Sequence, residues 1–291
     1  MLPAMVLCAG FGTRLRPLTD LIPKPMLTVG DRPAVLHTLA HISDAGLTPV
    51  VLNTHHRADV FEGTLPQWVR VVHEPSILGT AGGVANASGL LGSGDILVWN
   101  GDILAEPDLR ALIDFHHGNS KDCVATLLAA PRAAGQGTLG LDASSRVVRM
   151  RGHRSGVEQI GADFMGIQLI SARLRARLPA QGCLVGDAYL PALQAGDQIA
   201  VCMHRGDWDD IGTPRALLDA NLRWLRRHGR ANFCELHVPA PIELHETVVC
   251  NGAMLRGAGS IRQCLALAGS TLTAPAHRAI ALPDGRVIQE E

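Results

Sequence analysis

The chain has 291 residues, of which 47% are hydrophobic and 18% are charged, with 26 basic and 27 acidic side chains. This length corresponds to one large domain or two ordinary ones, and a net charge of −1 gives no general reason to bind a polyanion. Aromatic residues make up only 3% of the sequence, too few for a surface that stacks bases. We therefore expect no nucleic-acid partner.

The sequence also argues against a membrane or an oxidising compartment. No apolar run reaches the roughly 20 residues of a spanning helix, and the N-terminus lacks the pattern of a signal peptide. The seven cysteines are scattered, without a C-x-x-C pair, so neither a disulfide framework nor a zinc site follows. We expect a cytoplasmic protein with no membrane partner.

Short apolar runs alternate with segments of helical periodicity in the first part of the chain. Strands are predicted at residues 4–9, 49–53, 69–73 and 95–99, and helices at 33–45, 80–91 and 107–116. Further strands are predicted at 124–129, 147–150 and 160–170, and helices at 172–178, 187–194 and 214–228. The alternation predicts an α/β fold with a Rossmann-like mixed, mostly parallel sheet flanked by helices.

The spacing of apolar residues changes after residue 230. Aliphatic residues recur every six positions at Val249, Leu255, Ile261 and Leu267, and Thr273 and Ala279 continue the spacing more weakly. This period is typical of a left-handed parallel β-helix, although chance periodicity in a tail rich in Ala, Gly and Leu is a competing explanation. We expect a catalytic domain at residues 1–230 and a short tail of little more than one coil at 231–291, which could join copies of the chain into a homo-oligomer.

The strongest motif is a glycine-rich loop directly after the first predicted strand. Gly10 and Gly12 let the backbone approach a bulky anion. Arg14 supplies a guanidinium suited to phosphate, and Lys24 lies between two prolines in a stiffened segment. The loop lacks the Gly-Lys-Ser/Thr of a Walker A motif and the third glycine of a dinucleotide fingerprint. A plain glycine turn with surface arginines would leave the Pro-Lys-Pro segment unexplained.

This segment resembles the signature of the sugar-1-phosphate nucleotidylyltransferases, also called NDP-sugar pyrophosphorylases. The family pattern glycine-x-glycine-[ST]-R-[LM]-x-P-L-T is matched at residues 10–19, and Pro-Lys-Pro follows at 23–25. The resemblance implies that the departing pyrophosphate is held by Arg14 and the phosphates at the reacting centre by Lys24. It implies nucleotide contacts from Ala9, Gly10, Gly12 and Thr13.

A second stretch, Gly-Thr-Ala-Gly at residues 79–82, has by itself the character of a strand-to-helix connection with Thr80 as a helix cap. It resembles the L-G-T-A-G stretch of the same family, which lines the nucleobase pocket. The resemblance implies that Gly79, Thr80 and Ala81 contact the base, with Glu74 as a weaker candidate.

Two carboxylates, Asp102 and Asp210, lie at the ends of predicted strands, where α/β proteins bind ligands. A Mg²⁺ ion bridging phosphates needs one or two carboxylates, although an aspartate could simply cap a turn. Both match metal positions of the family, in its N-G-D and W-x-D-[IV]-G-T motifs, and the resemblance implies a Mg²⁺ cofactor. Asp209 is not expected to contribute, because neighbouring strand residues face opposite sides.

The segments expected at the sugar pocket depart from the family pattern. Many members carry Glu-Lys-Pro where residues 149–151 are Arg-Met-Arg, so that glutamate and that lysine are missing. The resemblance assigns sugar contacts to Gly140, Phe164 and Gly166. A phenylalanine at position 164 is similar to the pattern of the N-acetylmuramate-1-phosphate uridylyltransferases. The six-residue period of the tail is more similar to the mannose-1-phosphate guanylyltransferases. The identity of the nucleobase and of the sugar therefore stays open.

The resemblance implies transfer of a nucleotidyl group from an NTP to a sugar-1-phosphate, with release of pyrophosphate after in-line displacement at the α-phosphate. A phosphate oxygen is already ionised at neutral pH, so alignment and charge neutralisation would suffice. A catalytically idle regulatory subunit that binds an NDP-sugar is the alternative. Retention of Arg14, Lys24 and both aspartates favours the enzyme. An acyltransferase tail is disfavoured because its sites need several coils.

Overall fold

The structure, a computed structural model, describes residues 1–290. Contacts divide the chain into two compact units. Unit 1 comprises Met1–Gly10 and Thr38–Trp208, and unit 2 comprises Phe11–His37 and the chain from Asp209 onward. The contacts thus group the signature segment after Gly10 with the tail, whereas the domain boundary near residue 230 remains a prediction.

The elements follow the predicted alternation of strands and helices in the first half of the chain. The strands are β1 (Ala4–Leu7), β2 (Thr28–Val29), β3 (Arg32–Pro33), β4 (Val50–Thr54), β5 (Val69–His73), β6 (Ile96–Asn100), β7 (Ile103–Ala105), β8 (Cys123–Arg132), β9 (Leu139–Leu141), β10 (Val147–Met150), β11 (His153–Arg154), β12 (Ile160–Ile170), β13 (Gln198–Met203), β14 (Trp208–Asp210), β15 (Phe233–Cys234), β16 (Ile242–His245), β17 (Val248–Val249), β18 (Met254–Arg262), β19 (Leu265–Ala266), β20 (Thr271–His277), β21 (Ala279–Ala281) and β22 (Val287–Gln289). The helices are α1 (Leu18–Leu21), α2 (Ala34–Asp44), α3 (Gly79–Asn86), α4 (Ser88–Leu91), α5 (Leu109–Asn119), α6 (Ala172–Arg175), α7 (Leu190–Gln194) and α8 (Pro214–Arg227).

Unit 1 is built on a mixed sheet, as the sequence predicts. Within residues 1–290, ten strands join it, in the order β11-β10-β9-β12-β6-β1-β4-β5, with β8 and β13 attached through β12. Strands β5, β4, β1 and β6 are parallel, and β12 runs antiparallel to β6. Most residues of β1, β4 and β6 are buried, because central parallel strands are covered on both faces. This burial accounts for the nearly continuous apolar sequences of the three strands.

Most helices match the predicted positions, but α1 was not predicted and α6 is shorter than predicted. The predicted helix 80–91 is two helices, α3 and α4, and a π-helical segment at Leu184–Tyr189 precedes α7. Thr213 caps α8 as predicted, since its Oγ1 accepts a hydrogen bond from the Ala216 N–H at 3.1 Å and Pro214 is the first helical residue. Among residues 1–290, no helix is long and apolar enough to cross a membrane.

The tail, within unit 2, consists of parallel strands stacked in two small sheets, β15-β17-β19-β21 with β22 at its end, and β16-β18-β20. Register partners lie 15 to 17 residues apart, as for Phe233 with Val248 and Ile242 with Gly259. Each coil is therefore shorter than three hexapeptides, and the stack is longer than the single coil expected. The left-handed sense remains a prediction.

The predicted aliphatic row of the tail points largely inward. Val249 and Ile261 are fully buried in one cluster, Leu255 packs against that cluster, and Leu267 is buried. Thr273 is exposed, so the weaker continuation of the six-residue spacing through this position is wrong. The shorter coils explain the difference, because they shift the inward positions out of a strict period of six.

Candidate functional site

The carboxyl edge of the parallel strands is the first part of the candidate site. From β1 the chain continues to β4 on one side, whereas β6 lies on the other side of β1. Such a reversal opens a crevice beyond the carboxyl ends of the two strands. The segments that leave these ends carry Ala9 and Gly10 after β1 and Asp102 after β6, and the Gly101 N–H donates to the Leu7 carbonyl at 2.9 Å. Three of the predicted residues thus follow the two strands at the switch point.

The side chains at this edge differ in exposure. Asp102 is partly exposed, whereas Cys8 beneath it is buried. Burial, together with the Asp102 charge, raises the pKa of the Cys8 thiol well above its ordinary value. A protonated thiol is a poor nucleophile, so Cys8 is not suited to covalent catalysis. An added Cβ at Gly10 would meet no atom within 4 Å, so packing within the protein does not demand glycine there.

A buried polar network joins the ends of β1, β4 and β5. The Cys8 N–H donates to Asn53 Oδ1 at 2.7 Å, and Asn53 Nδ2 donates to Glu74 Oε1 at 2.7 Å. Glu74 Oε2 accepts the Leu78 N–H at 3.1 Å. Because Glu74 is fully buried and both its oxygens are engaged, the structure assigns it to this network and not to the surface that a base would touch. The sequence analysis missed Asn53, whose only signal was a polar residue closing an apolar strand.

The predicted base-contact turn is anchored by a segment far along the chain. Gly79 has a φ of +76°, and a Cβ there would overlap the Gly182 carbonyl, which accepts the Ala81 N–H at 2.9 Å. Thr80 is not the cap of α3. Its Oγ1 instead accepts the Leu184 N–H at 2.7 Å. Ala81 is fully buried, and its N–H is already engaged by the Gly182 carbonyl.

In unit 2, the signature residues converge on the start of α8. Gly12 is left-handed with a φ of +62°, and a Cβ there would lie 2.8 Å from Thr19 Cγ2 and 3.3 Å from Lys24 Cβ. Lys24 Nζ donates to Asp210 Oδ1 at 3.3 Å. The Lys24 side chain is only 11% exposed and that of Asp210 is 43% exposed, so a buried cation faces a carboxylate at the surface.

Arg14 and Thr13 lie on the exposed side of the same unit. A Cβ added at Gly212 would lie 3.0 Å from both Arg14 Nη2 and Asp210 Oδ1. The guanidinium of Arg14 and the carboxylate of Asp210 therefore border the same glycine. Two cationic side chains and one carboxylate near a glycine turn form an arrangement that can hold phosphate oxygens.

Asp209 and Asp210 have different surroundings, although they are neighbours in β14. Asp209 is 5% exposed and forms an ion pair with Arg223 of α8, whereas Asp210 is exposed. Alternation along an extended segment explains the difference. Only Asp210 could reach a ligand from solvent.

The predicted ligands of a divalent cation are two carboxylates, Asp102 in unit 1 and Asp210 in unit 2. Among residues 1–290, no group of three or more His, Cys, Asp or Glu side chains is placed to hold a metal ion. Mg²⁺ commonly takes one or two carboxylates and completes its coordination with phosphates and water. Asp102 and Asp210, both accessible, are carboxylates of this kind.

The predicted sugar-side residues lie on β9 and β12 of unit 1. Gly140 is paired with Gly161, and a Cβ at Gly140 would overlap the Glu158 carboxylate. Phe164 donates its backbone N–H to Thr138 Oγ1 at 2.8 Å. Gly166, in a bulge of β12, has a φ of +75°, and a Cβ there would come within 2.6 Å of the Asn100 amide. Glycine is thus required at both positions by close neighbours.

An ion pair stands beside Gly140 that the sequence analysis did not foresee. Arg149 Nε donates to Glu158 Oε2 at 2.7 Å and its Nη2 to Oε1 at 3.0 Å. Arg149 also donates to the carbonyls of Gln136, Gly137 and Leu139. The Arg149 hydrogen bonds lower the pKa of Glu158 to about 2. The sequence showed only that Glu-Lys-Pro was missing, and nothing in it linked residues 149 and 158.

Comparison with known proteins decides the family. The profile of the family described as nucleotidyl transferase matches residues 3–151, slightly more than half of the chain. The chain belongs to the nucleotidyl transferase family. The matched range runs from before β1 to just after β10 and so contains the glycine loop, Lys24 and Asp102. Asp210, α8 and the tail lie beyond it.

Individual relatives within this family extend the likeness further along the chain. A mannose-1-phosphate guanylyltransferase of Mycobacterium tuberculosis is 36% identical over 222 residues, which are 72% of this chain and 61% of the relative. A mannose-1-phosphate guanyltransferase of Aspergillus fumigatus is 31% identical over 241 residues, 79% of this chain and 66% of the relative. The chain therefore spans less than two thirds of the length of these two relatives.

A solved structure shares the fold of this chain. HddC from Yersinia pseudotuberculosis, complexed with GMP-PN, superposes with a TM-score of 0.63 at 21% sequence identity. The superposition covers 77% of this chain and all of the HddC chain. The superposition therefore shows that this chain and HddC share a fold.

Proposed function

We propose that this chain transfers the guanylyl group of GTP to mannose 1-phosphate, giving GDP-mannose and pyrophosphate. The observation that carries the proposal is the convergence of Arg14, Lys24 and Asp210 in unit 2, within the segments that match the nucleotidylyltransferase signature. The choice of guanine and mannose is supported by the two relatives named mannose-1-phosphate guanylyltransferase and mannose-1-phosphate guanyltransferase. The more general proposal is nucleotidyl transfer to a sugar-1-phosphate.

In the proposed reaction an oxygen of the sugar phosphate attacks the α-phosphorus of the nucleotide. The bond between the α-phosphorus and the bridging oxygen breaks, and that oxygen leaves with pyrophosphate. No general base is needed, since the attacking oxygen is already ionised at neutral pH. Lys24 would stabilise the charge that grows on the transferred group, and Arg14 the departing pyrophosphate.

Mg²⁺ is the proposed cofactor, with the carboxylates of Asp102 and Asp210 as candidate ligands. The ion would neutralise phosphate charge and so ease the approach of an anionic nucleophile. Lys24 Nζ donates to Asp210 Oδ1, so this candidate ligand lies beside the cation that is proposed to contact the phosphates.

The proposal is tested by a matrix of GTP, UTP, dTTP and ATP against mannose 1-phosphate, glucose 1-phosphate and N-acetylmuramate 1-phosphate, with pyrophosphate and nucleotide sugar both measured. We expect GTP with mannose 1-phosphate to give the highest kcat/KM and equal amounts of both products. If UTP with N-acetylmuramate 1-phosphate is the best pair, the result would favour the uridylyltransferase activity that the resemblance at Phe164 suggests. Tight binding of a nucleotide sugar without turnover of any pair would identify a regulatory subunit.

A further inference from the structure

We propose that Asn221, on the buried face of α8, is a positioning residue that holds Lys24 in place through the β2–β3 hairpin. The inference rests on the proposed function, in which Lys24 touches the reacting phosphates. It gives α8 and the tail a part in catalysis that the motifs do not indicate.

The Lys24 turn is continuous with the hairpin. The Leu27 N–H donates to the Lys24 carbonyl at 3.1 Å, and the Ala34 N–H donates to the Leu27 carbonyl at 2.9 Å. Strand β2 pairs with β3 directly after this turn, with Thr28 opposite Pro33. A shift of the hairpin would therefore carry the backbone of Lys24 with it.

Asn221 ties this hairpin to α8 by two hydrogen bonds, and a third lies within α8. Its Oδ1 accepts the Gly30 N–H at 2.9 Å, and its Nδ2 donates to the Thr28 carbonyl at 3.1 Å and to the Leu217 carbonyl at 3.0 Å. Asn221 is fully buried, so water cannot replace these bonds without opening the helix face. One side chain thus satisfies backbone groups of both strand β2 and the turn that follows it.

Packing around the hairpin extends the link to the tail. A Cβ at Gly30, whose φ is +66°, would overlap the indole of Trp224, so the hairpin lies directly against α8. The Trp224 ring stands edge-on to Phe233 of β15, with centroids 5.5 Å apart. The Cys250 thiol, which follows β17, forms a hydrogen bond with the Thr28 side chain of the hairpin. Burial raises the pKa of the thiol to about 11, although this hydrogen bond has a smaller, lowering effect. The hairpin is therefore held between α8 and the first coils of the tail.

The experiment compares Asn221→Asp with a matched control, Asn232→Asp. The Asn221→Asp side chain keeps the acceptor for Gly30 but loses the donors and sets oxygen against the Thr28 carbonyl. Asn232 has the same chemistry in the tail, since its Nδ2 donates to the Leu244 carbonyl at 2.9 Å and its Oδ1 accepts the Thr247 N–H at 3.0 Å. Both variants remove an amide that bridges two backbone segments, fully buried at Asn221 and half-buried at Asn232.

Steady-state kinetics with the best substrate pair gives the first readout. We expect Asn221→Asp to lower kcat by roughly tenfold to a hundredfold, because a small displacement of a catalytic group is costly, with KM for both substrates within about threefold. Asn232→Asp should leave kcat unchanged even if it lowers Tm as much. A kcat equal in the two variants, or a change confined to KM, would overturn the inference.

The second readout does not depend on activity. Lys24 and Lys121 are the only lysines of the sequence, so protein labelled with [¹⁵N]lysine gives two backbone amide signals, which Lys121→Arg assigns. Asn221→Asp should shift the Lys24 signal and spare that of Lys121, and Asn232→Asp should move neither. An unmoved Lys24 signal would refute the positioning role. Absence of turnover in the wild type would refute only the proposed function.

Asn221→Ser covers the case in which Asn221→Asp does not fold. The shorter, uncharged side chain loses the hydrogen bonds to the Gly30 N–H and the Thr28 carbonyl without burying a charge. A lower kcat with a shifted Lys24 signal supports the inference, and wild-type values for both contradict it.

Discussion

The two compact units differ in how their segments are arranged along the chain. Unit 1 consists mainly of one continuous segment, Thr38–Trp208, whose polar contacts join near residues such as Asn53 and Glu74 and distant ones such as Thr80 and Leu184. In unit 2, Lys24 contacts Asp210 at a separation of 186 residues, and Gly30 contacts Asn221 at a separation of 191. Unit 2 therefore depends on contacts between two segments that are separated in sequence by most of unit 1.

The difference teaches that the catalytic segment and the tail belong to one structural unit. A view from sequence places the glycine loop in a catalytic domain and treats the tail as an addition. The contacts group residues 11–37 with α8 and the tail strands instead. Five changes, three in unit 2 and two in unit 1, test how far this grouping matters.

The largest effect is expected from a chain cut after Arg230. The cut removes the buried tail cluster around Val249 and Ile261 and the partners of α8, including Arg278, which donates to Asp219 at 3.1 Å. We expect loss of turnover and rapid proteolysis within residues 11–37 and 209–230, with the sheet of unit 1 more resistant. Proteolysis followed by mass spectrometry measures this. A truncated chain with wild-type turnover and Tm would contradict the grouping.

Lys24→Ala should lower turnover by about two to three powers of ten, the usual cost of removing one electrostatic stabiliser. The loss should lie in kcat, with the circular dichroism spectrum retained. Lys121→Ala serves as the control, because this exposed residue lies far along the sequence from the motifs. Comparable losses in the two variants would show that Lys24 has no special part.

Substitutions of the neighbouring residues Asp209 and Asp210 in β14 should separate an effect on turnover from an effect on stability. Asp210→Asn should lower turnover strongly, with partial recovery at raised Mg²⁺ and a smaller effect on nucleotide binding. Asp209→Asn should lower Tm more than turnover, since it removes the partner of Arg223. The assignment fails if Asp209→Asn is the more damaging change in kcat.

Asn53→Ala tests the network of unit 1. The change leaves the Cys8 N–H and the Glu74 carboxylate without their buried partner, which typically costs about 1–3 kcal/mol. We expect urea denaturation to show a loss of this size and KM for the nucleotide to rise while kcat changes little. Unchanged stability would mean that water or a shifted side chain replaces Asn53.

The smallest effect is expected from the acid dependence of Glu158. Because the pKa of Glu158 is lowered from 4.5 to about 2, its ionised form stabilises the fold above pH 4.5, and this contribution is lost as the pH falls toward 2. Glu158→Gln should be less stable than wild type at pH 7, and the difference should shrink between pH 4.5 and 2. Exposed Glu106→Gln is the control. A constant difference across this range would argue against the Arg149 ion pair.

The sequence predicted many elements of unit 1 because each depends on local periodicity. Strands β1, β4, β5 and β6 follow from short apolar runs, and in unit 2 helix α8 follows from its Thr-Pro start. The antiparallel strand β9 was not predicted, because a strand of three residues is too short to show a period. The coil length of the tail was also missed, because irregular turns break the six-residue spacing.

The sequence predicted which residues belong to the candidate site, but not which of them contact one another. Motifs named Lys24 and Asp210 separately, and only the fold shows that they touch. The resemblance made Glu74 a weaker candidate for base contact, and only the fold shows that its side chain is buried in the network with Asn53. Asn53 and Asn221 carry no motif at all, because the role of a buried amide is defined by the backbone groups that surround it.

Isotope tracing tests nucleotidyl transfer most directly. The best sugar-1-phosphate is prepared with oxygen-18 in its non-bridging phosphate oxygens, and the products are resolved by ³¹P NMR and mass spectrometry. Attack of this phosphate on the α-phosphorus predicts that all label remains in the nucleotide sugar, including the oxygen between its two phosphorus atoms, and that pyrophosphate is unlabelled. Label in pyrophosphate or inorganic phosphate, or a nucleotide sugar without label, would contradict the account.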